Sequence, residues 1–475
     1  MINKAFILSK SSFTLPSNWM SCELQNGMIL NYEKNLPVAS NSRKSVFLIG
    51  DAWQIDSEKA KPEEIIQNLN GNESPEVVFS IESTWSGRYI LIVGDWLYLD
   101  AIGSMACFYG NGMISNSINL IRKVSCGEIS YPDIKHGQAP DFLLGPYTLY
   151  KDIMRLLPSQ LLRIKSLKPE NRPIILAADV NSNLSVEERL QEIEQSFVNS
   201  LKSLKAHFPG KQFCVAITGG HDSRVTLAML QKSGIEYKGF TFWHDKISKQ
   251  DKCIPKNLAR VAGIKYTFIG KEKREKNHEW FEKQQTQSGG LTAERTWESK
   301  RQIDELKDGH PIVIIRSGIF EISCDYYHYR PEGFNPYGIY PNITSIESNK
   351  KSVSYWLNMV ENDIVNSNIR NTDRLYYDMR LGCWLSSTEQ TFDMFSDVIP
   401  IQLCNSRRLI ALLMGFSEEQ RKGKLHEEQL TNHAFPPFAK IPYDNEVVYF
   451  SDRIISMLGK IKTKIWRFLN RNTSN

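Results

Sequence analysis

One segment in the middle of the chain constrains the fold more than any other. Residues 213–217, Phe-Cys-Val-Ala-Ile, form an apolar run typical of a buried strand, and Thr-Gly-Gly-His-Asp-Ser follows at 218–223. The pattern from Ser223 to Lys232 then predicts a helix. At the carboxyl end of a parallel strand, backbone N–H groups of such a loop and the helix N-terminus form an anion site. The segment therefore predicts an α/β fold with a phosphate-binding loop.

The residue types in this loop suit a phosphate ligand. Gly219 and Gly220 lack Cβ atoms, so a phosphate can approach the backbone closely. Thr218 and Ser223 add hydroxyl donors. Asp222 has the wrong charge for direct phosphate binding and suits a Mg²⁺ ion beside the phosphates. The alternative is that the glycines only form a tight turn and Asp222 only caps the helix, but the complete strand, loop and helix context favours the phosphate site.

The sequence around the loop alternates strand and helix patterns. Ser185 and Glu188 have the spacing of a capping box, and apolar residues then recur three or four apart on one helix face. Strand patterns at 237–243 and 265–269 flank a helix pattern at 255–262. This alternation predicts a parallel sheet covered by helices.

The first half of the chain has a different pattern. Runs rich in β-branched and aromatic residues at 77–80, 88–93, 96–100 and 161–164 predict strands, and Gly94-Asp95 predicts a tight hairpin between two of them. We therefore expect an N-terminal region built mainly from strands and turns.

Composition excludes several classes of protein. The 475 residues are 41% hydrophobic and 23% charged, enough apolar material for sizeable cores, which excludes global disorder. No apolar run approaches the roughly 18 residues of a membrane-spanning helix, and the run at 5–8 is too short for a secretion signal. We therefore expect a soluble, cytoplasmic protein. The eight cysteines include no C-x-x-C pair, which argues against a cysteine-based zinc site or a redox dithiol.

The net charge of +5 is concentrated at the end of the chain. Residues 451–475 carry six basic groups and one acid, so the remainder is neutral overall and offers no broad basic surface for nucleic acid. Apolar residues at helical spacing between Ile454 and Phe468 alternate with lysines, a pattern that suits an anionic membrane or a partner. The alternative is a terminal helix docked on its own protein. Oligomeric state stays open, with a homodimer as one candidate.

Four stretches resemble one known family in their order along the chain. The loop resembles the pyrophosphate-binding S-G-G-x-D-S loop of asparagine synthetase-like ATP pyrophosphatases, with Thr218 in place of serine. Residues 86–109 are similar to the G-x-F…R-D-x-x-G…Y-Y region of class II glutamine amidotransferase domains. Residues 316–321, Arg-Ser-Gly-Ile-Phe-Glu, resemble the second acidic loop, and Trp384 with 400–413 resembles the distal helical part.

This resemblance implies a two-domain α/β fold. Residues 1–170 would form a degenerate class II glutamine amidotransferase-like domain, an α+β β-sandwich layered with helices. The polar, proline-containing stretch at 171–183 predicts a linker. Residues 185–445 would form an α/β parallel-sheet ATP pyrophosphatase domain of the asparagine synthetase type with a helical distal part, and 446–475 a basic amphipathic tail.

The resemblance also implies an amide ligase that releases AMP and pyrophosphate, with ATP and Mg²⁺ as cofactors. A small-molecule, sugar or peptide carboxylate would attack the α-phosphate of ATP, and ammonia or an amine donor would displace AMP from the acyl-adenylate. Asp222 and Glu321 would be the catalytic, Mg²⁺-binding acids. The implied pyrophosphate ligands are Thr218, Gly219, Gly220 and Ser223.

The sequence departs from the family at both implied sites. Glutamine-using members begin with Cys directly after the initiator Met, whereas here Ile2 follows and the first cysteine is Cys22. We expect a glutaminase fold without glutaminase activity, unless processing after Ser21 exposes Cys22. The second loop lacks the family's G-x-G-x-D-E order, so a surface or helix-capping role is the alternative for Glu321.

Two further family residues have no clear match. Asp397, three residues before Pro400, is the nearest candidate for the acid that precedes the distal proline. Lys422 and Lys424 are near the place of the distal lysine, but the Arg-Lys-Gly-Lys run favours a solvated loop, and Lys440 is no better supported.

Two other functions stay open. A tRNA-modifying ATP pyrophosphatase predicts a basic face and reactive cysteine pairs, and the sequence has neither. A non-catalytic, nucleotide-binding partner of another biosynthetic enzyme is favoured by the altered second loop and opposed by the complete Thr-Gly-Gly-His-Asp-Ser loop.

Overall fold

The computed structural model describes residues 4–11, 16–56, 58–125, 143–148, 150–175, 183–245, 247–271, 279–281, 293–327, 334–339 and 347–447. Over these residues the chain is mixed α/β, with antiparallel sheets in its first part and a parallel sheet in its second. Residues 448–475 of the predicted tail lie outside the described residues. Within the described part, no helix is both long and apolar enough to cross a membrane.

Twelve strands of the described residues build the first part. They are β1 (Phe6–Ser9), β2 (Trp19–Glu23), β3 (Ile29–Glu33), β4 (Val38–Ser40), β5 (Val46–Gln54), β6 (Trp85–Val93), β7 (Trp96–Leu99), β8 (Phe108–Gly110), β9 (Met113–Ser115), β10 (Met154–Arg155), β11 (Gln160–Arg163) and β12 (Lys168–Asn171). They form two six-stranded sheets with the spatial orders β10-β8-β9-β1-β3-β2 and β12-β11-β7-β6-β5-β4.

The two sheets enclose a common apolar core. Leu8 and Leu30 of the first sheet are buried in one cluster with Ile49, Ile90 and Leu97 of the second. Successive side chains of a strand alternate between the two sheet faces, so each sheet also has an outer face with apolar side chains. Helices pack on these outer faces: Pro75–Glu82 on the second sheet and Ile118–Ser125 on the first, with shorter helices at Pro62–Ile65 and Ile66–Asn68.

The helix Pro75–Glu82 shows that the strand predicted at 77–80 is wrong. Ser74 stands at the N-cap, Pro75 in the first helical position and Glu76 in the first turn. These helix-start signals outweigh the β-branched pair at 77–78, because proline is pre-organised for a helix N-terminus. By contrast, the strands predicted at 88–93 and 96–100 are confirmed as β6 and β7, and Gly94 turns between them with a φ of +60°.

The second part contains the predicted parallel sheet. Its strands are β13 (Gln212–Ala216), β14 (Lys238–Phe242), β15 (Tyr266–Ile269), β16 (Ile312–Arg316) and β17 (Val398–Gln402). Their spatial order is β15-β14-β13-β16-β17, and every neighbouring pair is parallel. β13 is therefore the central strand, and the loop that follows it is flanked by the loops after β14 and β16.

Helices surround this sheet and form the distal region. Their bounds are Val186–His207, His221–Ser233, Lys249–Ala262, Ala293–Leu306, Pro336–Ile339, Glu347–Glu361, Asn371–Leu375, Ser386–Gln390, Arg407–Met414, Glu418–Gly423 and Leu425–Ala434, with a π-helix at Tyr376–Leu385 and 3₁₀ turns at Phe320–Ser323, Phe392–Met394 and Pro436–Lys440. The predicted capping box is present: Glu188 donates its N–H to Ser185 Oγ at 3.3 Å, and Ser185 donates its N–H to Glu188 Oε2 at 2.8 Å.

A buried polar interface joins the two parts. Glu82 from the first part accepts hydrogen bonds from Arg172 and from Arg407 of the second part, the latter at 2.9 Å. Arg88 forms a two-pronged ion pair with Asp393 at 2.5 Å. Arg172 lies in the stretch predicted to be a polar linker, yet it is fully buried. The start of that stretch is thus part of the interface, because its arginine shares the Glu82 carboxylate.

Candidate nucleotide site

The Thr-Gly-Gly-His-Asp-Ser loop lies at the carboxyl edge of the central strand. β13 ends at Ala216, and the helix His221–Ser233, here called the loop helix, begins directly after Gly220. The first N–H groups of a helix have no partner within it and carry partial positive charge. The loop therefore has the strand–loop–helix geometry expected for an anion site.

Hydroxyl groups brace the loop from within. Thr218 donates its backbone N–H to Ser223 Oγ at 3.0 Å, and the two hydroxyl oxygens are 2.9 Å apart. The N–H of Gly220 makes a long, 3.4 Å contact with Thr218 Oγ1. Thr218 and Ser223 thus hold each other in place, while the Gly220 N–H is only weakly bonded and is available to a ligand.

Gly219 lies in a tight space between two acidic side chains. It donates its N–H to Asp251 Oδ1 at 2.6 Å, and its carbonyl accepts the N–H of Asp444 at 3.2 Å. A Cβ at this position would lie 3.1 Å from Ile254 Cδ1 and 3.2 Å from Asp444 Cβ. A side chain here would therefore press on both neighbours and require them to shift by a few tenths of an ångström. Neither acid is predicted above, although the Ser-x-x-Asp spacing at 248–251 is a helix-start signal that marks one of them.

Asp222 forms an ion pair that the sequence did not predict. Its Oδ1 lies 3.2 Å from Nζ of Lys424, and both side chains are partly exposed. Lys424 joins the helix Glu418–Gly423 to the helix Leu425–Ala434, here called the distal helix, with a φ of +54°. The expectation of a solvated loop is therefore wrong for Lys424. Lys422 instead pairs with Glu418 on the surface of its own helix.

Glu321 lies beside the same ion pair. It belongs to the 3₁₀ turn Phe320–Ser323 that follows β16, and Tyr376 donates its hydroxyl to Glu321 Oε2 at 3.0 Å. Burial and, next in size, the charge of Asp222 raise the pKa of Glu321 above its ordinary value. The fold thus places Asp222, Glu321 and Lys424 within electrostatic reach of one another at the carboxyl edge of the sheet.

A second, buried carboxyl group lies behind Asp222. Glu427, on the distal helix, is fully buried, and burial followed by the charge of Asp222 raises its pKa well above the ordinary value. Burial alone would lower the pKa of Lys424, but the neighbouring Glu427 and Asp222 carboxylates raise it overall. Lys424 therefore stays protonated at neutral pH and supplies a positive charge beside Asp222.

Two further residues of the loop helix, His221 and Arg224, make contacts within the protein. His221 is buried, stacks on the ring of Tyr443 at 3.9 Å and contacts Glu428 through Nε2, so it does not face a phosphate in the loop. Arg224 is fully buried and donates to the carbonyls of Ile441 and Pro442 at 2.6 and 2.8 Å. Both contacts join the loop helix to the segment after Lys440.

Asp397 is not an acid of this site. It is a partly exposed residue directly before β17, where it pairs with Lys307, and its N-terminal position puts it at the opposite edge of the parallel sheet. Its pKa is lowered, first by the hydrogen bond from Lys307. The proposed correspondence to the family's acid before the distal proline is therefore wrong.

The residues at this edge fit ATP with a Mg²⁺ ion. A glycine-lined backbone and a helix N-terminus suit phosphate groups, and Lys424 adds a cation next to them. Mg²⁺ prefers oxygen ligands, which the Asp222 and Glu321 carboxylates would supply. Asp251 and Asp444 add negative charge at Gly219, a feature that opposes direct phosphate contact at that one N–H.

Comparisons with known proteins add little to this geometry. No protein-family model matches the chain, and no curated protein matches it. Among solved structures, NMN synthetase from Francisella tularensis matches over 30% of this chain and 59% of its own, with 16% sequence identity and a TM-score of 0.22. The match thus spans less than two thirds of that enzyme, and a TM-score this low does not establish a shared fold.

Proposed function

We propose that this protein is an ATP-dependent ligase that forms an amide bond by way of an acyl-adenylate. The observation that carries the proposal is the convergence of Asp222, Glu321 and Lys424 beside the glycine loop at the carboxyl edge of β13. These side chains come from three separate elements, and an accidental arrangement would rarely combine two acids, one cation and a phosphate-type loop.

In the proposed reaction, a carboxylate oxygen attacks the α-phosphorus of ATP and the bond to the β-phosphate breaks. Negative charge grows on the departing pyrophosphate, and preorganised donors aimed at that charge lower the barrier. Gly220 N–H, the start of the loop helix and Lys424 would supply those donors. Asp222 and Glu321 would hold Mg²⁺, which offsets charge on the phosphates. Ammonia or an amine then attacks the acyl carbon, loses a proton and releases AMP.

The nitrogen would come from ammonia, a substrate amine or another protein rather than from a glutaminase site at Cys22. Cys22 lies inside β2, where it pairs with Leu30 of β3. A cut after Ser21 would remove β1, which lies between β9 and β3 and buries Phe6 and Leu8. Exposing Cys22 as an N-terminal residue would therefore open the core of the first part.

A second candidate function is a non-catalytic protein that keeps the loop without turning over ATP. The specific observation in its favour is that Asp251 already accepts the hydrogen bond from the Gly219 N–H and that Asp444 packs over the same glycine. Those carboxylates repel phosphate unless a cation lies between them and the ligand.

ATP–pyrophosphate exchange distinguishes the two. With Mg²⁺ present, labelled pyrophosphate should enter ATP only when the right carboxylate is added from a panel of amino acids, uronic acids and peptides. Asp222→Ala should abolish the exchange, whereas Asp397→Ala, which removes a partly exposed acid at the other sheet edge, should not. Exchange that needs no carboxylate, or that survives in Asp222→Ala, would refute the ligase assignment; ATP binding without exchange under any acid would favour the non-catalytic protein.

A further inference from the structure

A second cluster, of side-chain types that can bind a metal ion, lies next to the candidate nucleotide site. Its members are Cys324, His426 and Glu427, all buried, and their potential ligand atoms lie within 4.8 Å of one another. The sequence separates Cys324 from Glu427 by 103 positions. No C-x-x-C spacing marks the cluster, so the cysteine pattern of the sequence gives no sign of a metal site here.

We propose that Cys324, His426 and Glu427 bind a zinc ion. Cys324 Sγ lies 2.9 Å from Glu427 Oε1, and His426 Nε2 lies 3.9 Å from the same oxygen. Zinc bonds of about 2.0–2.3 Å in a tetrahedral site separate ligand atoms by roughly 3.3–3.7 Å. The two observed spacings lie on either side of that range. His426 Nε2 now lies 2.7 Å from Ser323 Oγ and would exchange that contact for the ion.

A separate observation points to a missing ligand. Glu427 Oε2 is buried and has no hydrogen-bond partner among the described residues. Leaving a buried carboxylate oxygen without a partner is costly. A carboxylate can bind one metal ion through both of its oxygens, so an ion held at Oε1 would also supply the bond that Oε2 lacks.

The chemistry of the three side chains favours zinc over magnesium. Sulfur, imidazole nitrogen and carboxylate oxygen together form a borderline-soft set, which zinc accepts and Mg²⁺ does not. Binding would displace the thiol proton to solvent, and the thiolate and carboxylate would balance the two charges of the ion. Three protein ligands leave a fourth position for water.

The position of the cluster gives the ion a role. Cys324 directly follows the 3₁₀ turn that carries Glu321, while His426 and Glu427 lie in the first turn of the distal helix, next to Lys424. A zinc ion here would link the two elements that position Glu321 and Lys424. This link does not depend on ATP, so the zinc proposal can be tested separately from the proposed ligase activity.

The test is metal binding to the full chain after treatment with a chelator. Zn²⁺ titration by calorimetry should show one tight site, and Co²⁺ should give the charge-transfer absorption of a cobalt–thiolate bond. Cys324→Ser should lose that absorption and bind Zn²⁺ at least about tenfold more weakly. Cys253→Ser, which changes an exposed cysteine, should behave as the unmodified protein.

Glu321→Gln separates this site from the proposed Mg²⁺ site. It should leave Zn²⁺ affinity and the cobalt spectrum unchanged, because Glu321 is not a ligand of the cluster. Absence of a tight Zn²⁺ site, equal affinity in Cys324→Ser, or loss of binding in Glu321→Gln would each overturn the proposal. Circular dichroism of Cys324→Ser establishes that its folded state is intact before these affinities are compared.

Discussion

At the scale of single residues, the site depends on a lysine whose role the sequence concealed. Lys424 lies in a basic run that resembles a solvated surface segment, and only the packing of the distal helix against the loop helix brings it to Asp222. By contrast, the strand–loop–helix arrangement around the glycine loop could be predicted, because a strand, two glycines and a helix start are local features of the sequence.

Replacing Lys424 should weaken nucleotide binding. We expect Lys424→Met to lower Mg-ATP affinity by roughly 10–100-fold, which is the contribution of one charge-assisted hydrogen bond to a phosphate. Lys422→Met is the matched control, since Lys422 pairs with Glu418 on the exposed face of its helix. Calorimetric titration with Mg-ATP measures both. Equal affinity in the two variants would show that Lys424 does not contact the nucleotide.

A side chain at Gly219 should strain the loop. The Cβ in Gly219→Ala would press on Ile254 and Asp444, so we expect a loss of about 1 kcal/mol in unfolding free energy and about tenfold in ATP affinity. Gly270→Ala adds a Cβ with no atom within 4 Å and should change neither quantity. Urea unfolding and ATP titration of the two variants provide the comparison, and similar behaviour would show that the loop is looser than described.

At the scale of elements, strong local signals predicted the helices and strands around the site, and competing signals caused the errors. The helix from Val186 was predictable from its capping box and one apolar face. The helix at 75–82 was not, because Val77 and Val78 favour a strand while Pro75 favours a helix start. The helix-start signals of Ser74 and Pro75 prevail, and Val78 then packs against the second sheet from the helix.

The last turn of the helix Val186–His207 should make stability depend on pH. His207 Nε2 lies 3.0 Å from Asp51 Oδ1 of β5. Burial opposes protonation, but the Asp51 hydrogen bond and charge prevail and raise the pKa of His207. A raised histidine pKa contributes stability that is complete below the unfolded value of about 6.5 and lost as pH rises through the folded pKa.

Urea unfolding on both sides of that range measures the effect. The unfolding free energy should fall between about pH 6 and about pH 8 by more in the unmodified protein than in Asp51→Asn, which lacks the carboxylate partner. The same pH dependence in both proteins would mean that the His207–Asp51 contact contributes nothing to stability.

At the scale of the whole molecule, the two parts of the chain are tied together by buried charge. The fold class and the order of the parts could be predicted from strand and helix patterns. The interface could not, because its partners, such as Glu82 and Arg407, lie 325 positions apart and no local pattern relates them. For the same reason the sequence suggested a polar linker where Arg172 is buried.

Glu82 should be the most sensitive residue of this interface. Glu82→Gln leaves the buried guanidinium groups of Arg172 and Arg407 without a counter-charge, and we expect a loss of about 3–5 kcal/mol in unfolding free energy. Glu170→Gln breaks a surface pair with Arg163 and should cost less than about 1 kcal/mol. Chemical unfolding measures both, and equal small losses would contradict a stabilising role for the interface.

The central claim is that the loop at 218–223 binds Mg-ATP with Asp222, and calorimetric titration of ATP with and without Mg²⁺ tests it most directly. We predict one ATP per chain, bound only with Mg²⁺, at least about tenfold weaker in Asp222→Asn and unchanged in Asp397→Asn. Absence of Mg²⁺-dependent binding, or equal affinity in Asp222→Asn, would contradict the account.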